Sequence, residues 1–159
     1  MKKGSTLFLK SVLLLISILI LAGLLWFPHL EGRNVSANFF QIYFQDGFLA
    51  YVYFSSIPFF LAFYQAFKLL ELIEKNKAFT QKAVNCLRNI KYCALALSGL
   101  ILPVIPLILN FAHDDDSPGV MLIVLIFIFA SLVVATAAAV FQSLLQNAVD
   151  IKSENDLTV

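Results

Sequence analysis

Charge is what this sequence has least of. Its eleven basic and ten acidic residues make up 13% of 159 positions, against about 25% in a typical soluble domain. So few charges cannot cover a folded surface in water, and with 60% hydrophobic residues and a mean hydropathy of +0.87 the chain belongs in a membrane. A helical span takes about 20 apolar residues, so the length holds four or five spans and leaves no room for a separate soluble catalytic domain. Cysteine is also scarce. Cys86 and Cys93 stand seven apart, about 10 Å along a helix, too far for a disulfide, and two thiols without a neighbouring His make a poor zinc site. Phosphate-binding glycine loops, metalloprotease helices and nucleophile elbows are all missing. The chain therefore reads as a non-enzyme that needs no cofactor, and its net charge of +1 gives no reason to expect direct nucleic-acid binding.

What the sequence has in abundance is apolar runs. The first follows Lys2, Lys3 and Lys10 and is longer than a cleavable signal core, with no small-residue cleavage site after it, so it is expected to stay as a span over 7–27. The others are expected at 48–70, 92–112 and 120–145. The expected architecture is an all-α polytopic membrane domain over 1–159, a four-helix bundle. Residues 38–44 carry an interfacial pattern. In 79–91 the residues Phe79, Ala83, Leu87 and Ile90 recur at helical spacing opposite polar ones, which predicts an amphipathic helix capped by Thr80 or Asn76. A polar tail follows at 146–159.

Proline marks three places where spans should kink: Pro58, whose missing donor frees the Phe54 carbonyl for Ser55 or Ser56 to satisfy, and the pair Pro103 and Pro106. In the fourth span Ser131, Ala135 and Ala139 recur every four residues, the small-residue pattern that lets helices or copies of the chain approach closely. That span is expected at the centre of the bundle. Ionisable groups are nearly absent from the spans: Lys10 and Lys68 lie near one end, and Asn110 is the polar residue near the other. A coupled carrier would place binding groups deeper.

Orientation follows from how the charges are sorted. Lys2, Lys3, Lys10, Lys68, Lys75, Lys77, Lys82, Arg88, Lys91 and Lys152 fall on one side of a four-span layout, and only Arg33 on the other. With five acids on each side, the faces carry +5 and −4. The positive-inside rule then puts both termini in the cytoplasm. On the outer side His113, Asp114, Asp115 and Asp116 are the only metal-ligand candidates. Their seven-residue connection lacks the alternating ligands of a calcium loop, so they read as a solvated acidic turn.

Two segments carry a resemblance. KAFTQKAVNCLRNIKYCAL after the second span and NAVDIKSENDLTV at the end are similar to segments of a bacterial family of small four-span membrane proteins of unknown function. Its members share a short AF…LR.I loop and an ENDLTV-type ending, and are often encoded beside a Cro/CI-type helix-turn-helix regulator. The resemblance implies a location in the bacterial plasma membrane and a regulatory neighbour as partner. The matching positions, Phe79, Leu87, Arg88, Ile90, Glu154, Asn155, Asp156, Leu157, Thr158 and Val159, become candidates for partner binding. Two functions from different classes remain open. One is a membrane-anchored adaptor that binds a cytoplasmic regulator. The other is a small transport, export or self-protection protein whose proline-kinked helices line a path for an apolar peptide or lipid-like molecule.

Overall fold

The computed structural model of the protein describes residues 3–30, 47–111 and 117–157. These residues form five helices, α1 (Lys3–Leu30), α2 (Gly47–Glu74), α3 (Gln81–Ile101), α4 (Val104–Phe111) and α5 (Ser117–Leu157), with no strand among them. Four stretches are long and apolar enough to cross a membrane: Gly4–Trp26, Ala50–Glu74, Gln81–Pro106 and Gly119–Asn155. The fold is all-α with four spans, as hydropathy predicts. Large apolar side chains such as Leu15, Trp26, Phe54 and Phe129 point outward. In water that would be costly, whereas in hydrocarbon it is the required surface. The interfacial pattern at 38–44 and the acidic turn from His113 to Asp116 lie outside the described residues.

The helices pack in the order in which they occur. α1 lies on α2, α2 on α3, and α3 against α5 in the most extensive contact of the molecule, with α4 bridging to α5. The centre is thus α3 rather than the fourth span. Ala83, Val84, Cys86, Ala94 and Ser98 are buried on α3, and Ser131, Ala135 and Ala138 on α5, with Ala139 half-buried. Small side chains on both helices allow the close approach that drives association in lipid, where no hydrophobic effect separates helix from solvent. The two serines bring no unpaired hydroxyl into this seam. Ser98 donates to its own helix at the Leu95 carbonyl (2.9 Å) and Ser131 at that of Ile128 (2.8 Å). Both cysteines are free, Cys86 buried and Cys93 half-buried.

The turn between α2 and α3 is built by Asn76. Its φ of 56° is left-handed backbone that asparagine tolerates. Asn76 N–H donates to the Ile73 carbonyl and Lys77 N–H to that of Leu72 (2.8 Å), the paired bonds of a Schellman helix end. Thr80 occupies the cap position of α3 with extended backbone, but its hydroxyl makes no capping bond. It donates instead to the Lys77 carbonyl at 2.8 Å, so the expected side-chain cap is absent and the turn is tightened from its other side.

Prolines govern the opposite half. α3 stops at Ile101 and α4 starts at Val104, with Pro103 in the gap and Pro106 inside α4. Neither ring can donate to the carbonyl four residues back. Ile105 N–H takes up the Leu102 carbonyl at 3.1 Å, and the Tyr51 hydroxyl of α2 donates to that of Leu100. A parallel bond joins α2 to α1: Tyr53 donates at 2.7 Å to the Leu24 carbonyl, the group that Pro28 leaves without its helical partner. α2 runs unbroken through Pro58. The two serines do not serve the Phe54 carbonyl as expected: Ser56 donates to the Tyr53 carbonyl at 2.7 Å, and the Ser55 Oγ has no hydrogen-bond partner among the described residues.

Candidate functional site at the basic end

Lysines mark a level across the bundle. Lys10 of α1 pairs with Glu74 of α2 and lies 5.5 Å from the centre of the Phe67 ring. Lys68 lies six residues before Glu74 on α2, and Arg88 and Lys91 lie seven and ten residues past the start of α3, so that Lys91 marks the innermost cation level. On α5 the level is found from one bond: Gln81 Nε2 donates to Gln146 Oε1 at 3.2 Å. Counting from it along two antiparallel helices at about 1.5 Å per residue puts Lys91 opposite about Thr136. From that level to the start of α5 is about 30 Å, and so is the length of α1 beyond Lys10. Both distances match a hydrocarbon core of about 30 Å.

About 21 residues of α5, some 32 Å of helix, follow the Lys91 level before its end at Leu157. They lie with the last turn of α2, the Asn76 turn and the first half of α3. Together these form an apolar groove of about 360 Å³, lined by Leu69 and Ile73 of α2, Phe79 of the turn, Leu87 of α3, and Phe141 and Leu145 of α5, among others. Its rim is apolar yet open. Phe79 is 58% exposed, Leu144 60% and Ile151 61%, at a depth where neighbouring side chains are Lys75, Lys82, Arg88 and Asp150, all exposed. The ion pair of Lys75 with Glu71 spans one turn of the adjoining helix.

Of the candidate residues, the structure brings Phe79 and Leu87 into this groove. Arg88 is exposed and Ile90 half-buried. Glu154 and Asn155 are exposed on the last turns of α5, which stays helical through Asp156 and Leu157. Thr158 and Val159 lie outside the described residues. Pro58, Pro103 and Pro106, and the seam residues Ser131, Ala135 and Ala139, belong to the membrane-embedded half and do not reach the groove. Sequence reading missed Leu69, Ile73 and Phe141. Each continues the apolar stripe of a span, so the sequence holds no signal that these positions face a groove. Among the described residues no three of His, Cys, Asp and Glu gather as metal ligands.

No solved structure matches the chain. It is 49% identical over 161 residues, covering the whole of both chains, to the uncharacterized membrane protein YoaS of Bacillus subtilis (strain 168). A family model described as "Protein of unknown function (DUF2975)" matches residues 17–159. With four spans, an all-helical fold and a match over nearly its full length, this multi-pass membrane protein belongs to the DUF2975 family.

Proposed function

We propose that the protein is a membrane-anchored adaptor that turns its basic end to the cytoplasm and holds a soluble regulatory partner there. The observation that carries this reading is the groove of Phe79, Leu87, Phe141 and Leu145, an apolar surface open among exposed basic side chains, which in this reading lies outside the hydrocarbon. Such a groove fits the apolar side of an amphipathic helix, read through anchors one turn apart. The exposed Lys75, Lys82 and Arg88 favour acidic residues flanking those anchors, by complementarity that steers encounter and fixes orientation. The partner that the family resemblance implies is a small Cro/CI-type helix-turn-helix regulator, and an acidic amphipathic helix on such a protein is the expected ligand.

Co-purification of the tagged full chain from membranes with a co-expressed small helix-turn-helix regulator from its own genome tests the reading. Wild-type protein should retain the regulator, and the Phe79→Asp and Leu144→Asp variants should lose at least 10-fold, since each buries a charge in the groove. Deletion of residues 154–159 should weaken capture if the tail contributes. Equal recovery by wild type and both Asp variants, or no recovery by wild type, would overturn it.

A further inference from the structure

A second cavity lies in the other half of the molecule, at the level of the proline breaks. This cleft of about 340 Å³ draws on all four spans, with Leu24 from α1, Tyr51, Ser55 and Phe59 from α2, Leu100 from α3 and Phe127 from α5 among its walls. Its size falls within the range of about 300–1,000 Å³ typical of small-molecule sites. One polar atom in this wall is unexplained. Ser11, Ser56, Ser98, Ser131 and Ser153 each donate to the carbonyl three residues back, at 2.7 to 2.9 Å, which is how a serine hides its hydroxyl inside a helix. Ser55 does not. Its Oγ is shut off from solvent and has no hydrogen-bond partner among the described residues. The neighbouring hydroxyls are engaged, Tyr51 with the Leu100 carbonyl and Ser56 with that of Tyr53. A buried polar group without a partner is uncommon in native proteins and calls for an explanation such as a water or ion bound there; a ligand hydroxyl or carbonyl would satisfy it in the same way.

We propose that this cleft is a binding site for an uncharged, mostly hydrocarbon molecule carrying one hydroxyl or carbonyl, which pairs with Ser55. The described walls select against charge: among the described residues no Lys, Arg, His, Asp or Glu lines the cleft, so a carboxylate would meet no counter-ion on them. The site is independent of the groove at the basic end and stands whether or not a soluble partner binds there.

The test uses the full chain in lipid nanodiscs and a diazirine-bearing dodecanol as photolabel, with labelled peptides identified by mass spectrometry. Label should concentrate on residues 51–59 and 97–104, and unlabelled dodecanol should compete at lower concentration than dodecanoate. Ser55→Ala, which removes only the hydroxyl, should weaken competition by dodecanol about 5-fold, the worth of one hydrogen bond, and leave competition by dodecane unchanged. Leu97→Trp, which fills the cleft, should abolish labelling there. If label spreads evenly and without saturation over the lipid-facing helices, the molecule is bulk lipid and the proposal fails. It fails equally if dodecanol competes as well in Ser55→Ala as in wild type, a comparison that does not depend on how Leu97→Trp folds.

Discussion

Tyr51 and Tyr53 are two residues apart on one helix and so point to nearly opposite sides of it. Each places its hydroxyl on a backbone carbonyl of a different neighbour, Leu100 of α3 and Leu24 of α1. The Leu24 carbonyl has lost its own helical donor to Pro28, and the Leu100 carbonyl lies beside the break between α3 and α4. In hydrocarbon no water can take such a group, so the tyrosines act as donors on loan from α2. Tyr53→Phe keeps the ring and removes that donor, leaving the Leu24 carbonyl without it. Its cost should be about 0.6–1.7 kcal/mol, the range of single hydrogen bonds measured inside membranes, read from the midpoint of unfolding in mixed micelles. Phe54→Leu on the exposed face between them should leave that midpoint in place. A Tyr53→Phe midpoint equal to wild type would mean the bond adds nothing. None of this was legible in the sequence. A tyrosine near the end of a span reads equally well as an interfacial anchor, and the carbonyls it serves are defined by prolines on other helices.

At the scale of elements, the existence of each span could be read from hydropathy, because 20 apolar residues in a row have few other uses. Their ends were harder to place. In the fourth span apolar residues continue through Leu144 and Leu145, which suggests a membrane exit there, while the helix itself runs on without a break to Leu157. Register between helices is a property of the packed pair. The break between α3 and α4 has a local cause in two prolines three apart. The double variant Pro103→Ala, Pro106→Ala restores donors to the Gly99 and Leu102 carbonyls and should join α3 and α4 into one helix. Amide exchange over 99–106 should then slow by at least 10-fold. Unchanged exchange would show that packing against α2 and α5, rather than the missing donors, holds the interruption open.

For the whole molecule, the sorting of charge makes a statement about direction. Sorted along the sequence, ten basic residues fall on one side of a four-span layout and one on the other, which predicts that a fluorescent protein fused after Val159 will light up inside the cell. Alkaline phosphatase at the same point should stay inactive, and a cysteine introduced at residue 33 should react with an impermeant thiol reagent from outside. Active phosphatase at the C-terminus would invert the molecule and with it the adaptor reading. The candidate site was partly legible at this scale. Family-like motifs marked Phe79 and Leu87, but the groove exists only because α5 returns to them from a distant part of the sequence.

The order of contacts has a further consequence. Since α1 docks on α2, α2 on α3 and α3 on α5, each later span emerging from the ribosome finds a neighbour already in the bilayer. Loops of long sequence separation need not close before packing begins, the condition associated with fast and orderly folding. The last helix made is also the one with the most intimate seam, through Ser131, Ala135 and Ala138. Until α5 arrives, the polar first half of α3 lacks its main cover, so an incomplete chain exposes a face that quality-control proteases can recognise, and a finished one conceals it.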